Sequence, residues 1–233
     1  MKKLLYTALI VCTVAIIHNF GHSTTASEPV KSEFESQSKK RVVGILIFKN
    51  AEVLDFAGPF EVFSVASQIH NYELFDVKVI AKTKEPIVAM NGLSVNPDYS
   101  FEDAPELDIL IISGGMGASL VVNDEASLDW VSKTVEKSEL TMSVCTGAAI
   151  LAKLGMLDDK PYCTHNTVYP FIEKMVPSAK PQKDQRFIQS DTKLYTSAGI
   201  SAGIDLSFHI VEKLFGKEVA KNTAAYMEYK GYE

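Results

Sequence analysis

The run Val42-Val43-Gly44-Ile45-Leu46-Ile47-Phe48 carries no charge and is apolar at nearly every position. Its length suits a strand, and a strand without polar alternation must be covered on both faces. Asp108-Ile109-Leu110-Ile111-Ile112-Ser113 and Leu140-Thr141-Met142-Ser143-Val144 repeat the pattern. Helical stretches separate and follow these runs. Gly58-Pro59 opens the first, with Phe60, Val62, Phe63, Val65 and Ala66 as its apolar face. Others span Asp124–Ser138, Ala148–Ala152, Val168–Met175, Ile204–Phe215 and Lys217–Tyr229. Buried strands alternating with helices predict a single α/β domain with a mostly parallel sheet and a ligand crevice at the carboxyl ends of its strands. Leu74–Ile80 alternates more and belongs nearer an edge. Ile87–Met90 and Leu93–Val95 form a hairpin around Asn91-Gly92, a pair suited to a tight turn.

Four loops follow buried strands: 49–55, 114–117, 145–146 and 197–203. In a doubly wound sheet they meet on one rim, which gathers Asp55, two glycine-rich turns and the Cys145 thiol. Cys145 sits where a strand turns into a helix, the position of a nucleophile elbow. The helix N-terminus is expected to lower its pKa and favour thiolate, and Gly155 to end that helix in a left-handed conformation. A thiolate there attacks an electrophilic carbon. Backbone N–H groups near Gly115 and Thr146 stabilise the developing negative charge. Asp55, raised in pKa by burial and like charge, donates and returns a proton. The plainer alternatives are an inert buried cysteine, a surface or capping Asp55, and a merely tight Gly114-Gly115 turn.

The amino terminus reads differently from the rest. Lys2 and Lys3 precede an uncharged stretch from Leu4 to Ile17, followed by small and polar residues to Ala26. This is the pattern of a secretory signal peptide over residues 1–26, too short to span a membrane comfortably. The expected location is outside the cytoplasm, periplasmic or extracellular, with membrane attachment only if the segment stays uncleaved. Residues 27–40 are polar and read as a disordered linker, with the folded domain at 41–233. Export leaves Cys145 and Cys163 where a disulfide between them can form, an alternative that would remove the nucleophile. The net charge of −6, which becomes −8 without Lys2 and Lys3, counts against a nucleic-acid binder. The chain closes after its last domain helix with no helix-turn-helix, which also counts against a transcription factor.

Val43–Phe48, Leu54-Asp55-Phe56-Ala57-Gly58-Pro59-Phe60-Glu61-Val62 and Leu110–Gly115 resemble the ThiJ/PfpI superfamily, which is class I glutamine amidotransferase-like. Val144–Ala148, Leu151–Leu157, Thr164-His165 and Ser197–Leu206 are similar to its isonitrile hydratase branch. That branch is also similar to the ligand domain of arabinose-regulator-type transcription factors. The resemblance implies a flavodoxin-like three-layer sandwich, commonly a homodimer, that acts on a small molecule without metal or organic cofactor. It implies Cys145 as nucleophile, Asp55 as its acidic partner and Thr146 beside it, hydrating an isonitrile to an N-substituted formamide. A glyoxalase or deglycase on small aldehydes, and a ligand-binding or redox-sensing module, are the alternatives. Thr146 stands where the family's proteases carry His, so protease chemistry is not implied. Asn166 and Cys163 also depart from the branch. His165 is read either as a group orienting the site or as a satisfied core histidine, the second being preferred.

Overall fold

The computed structural model describes residues 39–232. The leader expected at 1–26 lies outside the described residues, as does the linker except Lys39 and Lys40, which belong to no strand or helix. Among the described residues, no helix is long and apolar enough to cross a membrane.

The three apolar runs become neighbours: β1 (Arg41–Leu46), β6 (Ile109–Ile112) and β7 (Leu140–Ser143). Together with β2 (Phe75–Ala81), β5 (Tyr99–Ser100), β10 (Phe187–Gln189) and β11 (Leu194–Ser197) they form a seven-stranded sheet, ordered β10-β11-β7-β6-β1-β2-β5. All pairings are parallel except that of the edge strand β10 with β11. β2 lies one strand from an edge, as its alternation predicts. Strands β3 (Ile87–Val88) and β4 (Ser94–Val95) make the small hairpin, with φ of 59° at Asn91 and 90° at Gly92. A two-stranded parallel pair, β8 (Pro161–Tyr162) with β9 (Lys180–Pro181), lies apart from the main sheet.

Alternate residues of each central strand feed two separate cores, which makes the fold a three-layer α/β sandwich. Val43, Ile45, Ile109, Ile111, Leu140 and Met142 pack with α1 (Val53–Gln68), α6 (Ala202–Phe215) and α7 (Lys217–Tyr226). Leu46, Leu110 and Ile112 face the other way. There they meet α2 (Ala118–Val122), α3 (Glu125–Lys137), α4 (Ala148–Lys153) and α5 (Tyr169–Met175). Helix α4 ends at Leu154, and Gly155 follows with φ of 71°, as expected of a left-handed stop.

Gly58-Pro59 does not open the first helix. α1 begins at Val53 and carries Pro59 inside it, forgoing one backbone hydrogen bond there. The glycine serves packing instead: a Cβ at Gly58 would lie 2.8 Å from Ile204 Cγ1, so α1 and α6 could not close. The consequence reaches the rim, because Asp55 now sits in the first turn of a helix and not in a loop. The short α2 has no counterpart in the helical stretches read from the sequence.

Candidate active site

The parallel order reverses beside β1, where β2 lies on one side and β6 on the other. That reversal opens a crevice at the carboxyl ends of the strands. Four hydrogen bonds tie the expected loops together there. Glu52 N–H donates to Gly114 O at 2.9 Å, and Cys145 N–H to Ala198 O at 3.1 Å. Gly114 N–H donates to Asp55 Oδ2 at 3.0 Å, and Gly115 N–H to Thr146 Oγ1 at 2.8 Å. The approach is too close for side chains. A Cβ at Gly114 would lie 2.6 Å from Thr146 N, and one at Gly115, whose φ is 113°, 2.4 Å from Asn50 O.

Cys145 is the turn between β7 and α4, at φ 57°. A left-handed non-glycine residue stores strain on the order of 1–3 kcal/mol and persists only where its surroundings fix it. Here they do: besides the bond to Ala198, Thr164 Oγ1 donates to Cys145 O at 2.8 Å. Ile200, in the loop after β11, is also left-handed, at φ 50°, a genuine outlier for a β-branched residue. The two strained residues meet at the sulfur. The backbone N–H groups of Ile200 and Thr146 both favour its anionic form.

Asp55 is fully buried. Oδ2 accepts from Gly114, while Oδ1 has no conventional hydrogen-bond partner. The carboxyl faces the Cys145 thiol. Burial raises the Asp55 pKa from 3.8 to about 7, against the opposing effects of the thiol and the Gly114 N–H. The direction matches the expectation. The cysteine does the reverse of what its helix-terminal position suggests. Burial first, and the adjacent Asp55 charge second, push its thiol up to about 12 from 9.0. A helix of six residues behind a single tight turn does not offset a desolvated sulfur facing a carboxylate. Near neutral pH Cys145 therefore rests as a thiol, while Asp55 is divided between acid and carboxylate.

One side of this arrangement is open. A cavity of about 480 Å³ is lined by Cys145, Thr146 and Gly115 at its floor, with Glu52, Met116, Val122, His165, Val168, Phe171 and Ile200 around it. His165 is half-buried on this wall, with Nδ1 2.8 Å from Thr167 Oγ1. It is not the core histidine preferred from sequence. The Gly115 N–H does not face open space as expected, since the Thr146 hydroxyl holds it and returns a bond to Gly115 O at 2.9 Å. The amides aimed at the Cys145 sulfur are those of Thr146 and Ile200. Neither Ile200 nor Glu52 stands out in the sequence. A left-handed isoleucine has no compositional signature, although Glu52, three residues before Asp55 and at the start of the same helix, was within reach. The two cysteines are free. Cys163 points its thiol at Gln182 O and Gln185 O, at 3.4 and 3.6 Å, so the bridge that export would permit is not formed.

The profile of the DJ-1/PfpI family matches residues 40–213. Isonitrile hydratase of Pseudomonas putida is 30% identical over 187 residues, covering 80% of this chain and 78% of that protein. An HTH-type transcriptional regulator of Pseudomonas aeruginosa is 26% identical over 178 residues, 76% of this chain and 48% of the regulator. The chain thus spans about half of that relative. A ThiJ/PfpI family protein from Pseudomonas syringae has the same fold, with a TM-score of 0.75 at 22% identity, covering 89% of this chain and 84% of that one.

Proposed function

The chain belongs to the DJ-1/PfpI family, and from that premise we propose that it is a cofactor-free, cysteine-dependent enzyme that hydrates a small electrophile such as an isonitrile. The observation that carries this reading is the pairing of a strained, cavity-facing Cys145 with a buried Asp55 whose pKa is raised to about 7. A general acid–base group works best when its pKa lies near the operating pH. The relative named isonitrile hydratase adds support for the substrate class.

The chemistry runs through the fraction in which Asp55 is ionised and Cys145 protonated. A thiol with a pKa near 12 holds almost no thiolate at neutral pH, so attack and proton transfer go together. Asp55 takes the Cys145 proton as sulfur bonds to the isonitrile carbon, then delivers it to that same carbon, giving a thioimidate. The N–H groups of Thr146 and Ile200 stabilise charge on the sulfur during this exchange. Water then adds to the carbon while nitrogen gains a proton. The C–S bond breaks, releasing the N-substituted formamide and restoring the thiol. The net change is one water added to R–N≡C. Thr146, whose hydroxyl exchanges two hydrogen bonds with the Gly115 backbone, keeps its amide in place.

The test is conversion of cyclohexyl isocyanide by the purified protein. N-Cyclohexylformamide formed by wild type and not by Cys145→Ser supports the assignment. An intact, alkylatable Cys145 that forms no formamide overturns it, and small aldehydes become the next substrates to assay.

A further inference from the structure

The charge on the cavity wall is one-sided. Among the described residues, Glu52 is its one carboxylate, and no lysine or arginine lines it. Glu52 is the N-cap residue of α1, a place where the short polar side chains of Ser, Thr, Asp or Asn bond the free N–H groups of the first turn. The longer Glu52 side chain makes no such bond. Its backbone is pinned through the N–H bond to Gly114 O, and among the described residues no lysine or arginine pairs with it. A half-buried carboxylate on a pinned backbone thus lines the cavity that opens on Cys145, without being used by the fold. Met116, Val122, Val168 and Phe171 give the same cavity an apolar surface.

We propose that Glu52 is a charge filter, so that the site admits neutral or cationic electrophiles with an apolar body and rejects anionic ones. The substrate class rests on the hydratase reading, whereas the filter rests only on the cavity and its charge. A fixed unit charge a few ångströms from an incoming anion, in surroundings less polar than water, lowers the encounter by roughly tenfold.

Two reagents of nearly the same shape separate the possibilities. Iodoacetamide is neutral and iodoacetate anionic, and the cavity that opens on Cys145 is the route to its thiol for both. Each rate, read by peptide mapping at Cys145, is divided by the rate with a free small thiol. Any change in sulfur reactivity common to both reagents cancels in their ratio. Wild type should disfavour iodoacetate roughly tenfold beyond the free thiol, Glu52→Gln should lose most of that preference, and Glu52→Lys should reverse it. Equal ratios in wild type and Glu52→Gln overturn the filter. Turnover is then compared for cyclohexyl isocyanide and a carboxylate-bearing isonitrile. If neither is hydrated while the alkylation ratios behave as expected, the filter stands and the hydratase reading falls. If both are hydrated equally well, the filter falls and the hydratase reading stands.

Discussion

Cys145 and Cys163 are both buried, both free and both raised in pKa by burial, to about 12 and about 11. They differ in backbone and in company. Cys145 is left-handed, opens on a cavity and faces Asp55. Cys163 follows β8, donates its N–H to Thr196 Oγ1 at 2.8 Å, and points its sulfur at two backbone carbonyls. A raised thiol pKa therefore does not by itself mark a reactive site. Strain held in place beside a second titratable group does.

The largest expected effect tests that contrast directly. Cys145→Ala should lower kcat/KM for isonitrile hydration by about 10³-fold or more, as loss of a nucleophile does. Cys163→Ala should leave it within about threefold. Comparable losses in both variants, measured on folded protein, would erase the distinction.

Asp55→Asn sharpens it from the partner's side. Removing the like charge should move the pH midpoint of Cys145 alkylation down by about one unit or more, while burial keeps it above the ordinary thiol value. The midpoint at Cys163 should not move. Turnover should nevertheless fall by about 10²-fold, because the proton carrier is gone. A more acidic but less active enzyme separates proton transfer from simple thiolate formation.

The same substitution has a stability signature. Asp55 titrates at 3.8 when unfolded and about 7 when folded. Between those values the folded protein keeps a proton that the unfolded chain has released, so stability falls as pH rises through this window and the deficit is complete above it. The amide that replaces the carboxyl carries no charge to desolvate. Asp55→Asn should therefore be more stable than wild type at pH 8, on the order of 2 kcal/mol and about 4–8 °C in Tm. The gain should vanish near pH 4. A pH-independent difference in thermal melts would contradict the raised Asp55 pKa.

How much of this was readable in the sequence depends on whether a local pattern carried it. Apolar runs as continuous as Val42–Phe48 leave little choice but a doubly covered strand, and Asn91-Gly92 and Gly155 announce their turns through backbone preference. The convergence of Asp55, Gly114, Cys145 and Ala198 followed from topology once those strands were placed side by side. Pro59 misled because a local preference for helix starts yielded to the packing of α1 on α6. The thiol pKa misled for a similar reason. Helix position is visible in sequence, but the burial of the sulfur and the facing carboxylate exist only in the folded state. The Gly115 amide was assigned to the substrate because glycine turns expose N–H groups, yet the neighbouring Thr146 hydroxyl takes it.

The smallest effect asks whether the two thiols are independent. Thr164, next to Cys163, holds the Cys145 carbonyl through Oγ1 at 2.8 Å, so a disturbance at one cysteine has a short route to the other. Cys163→Ala removes a buried sulfur and two weak S–H contacts, which should cost about 1 kcal/mol and about 2–4 °C in Tm. If the Thr164 contact is anchored by its neighbours, namely Tyr169 Oη at 3.3 Å from Thr164 N and the Cys163 N–H bond to Thr196, that loss stays local and kcat/KM is preserved. A drop in kcat/KM beyond about tenfold with Tm unchanged would mean that Cys163 supports the elbow through Thr164, and the inert cysteine would have to be counted among the groups that position the nucleophile.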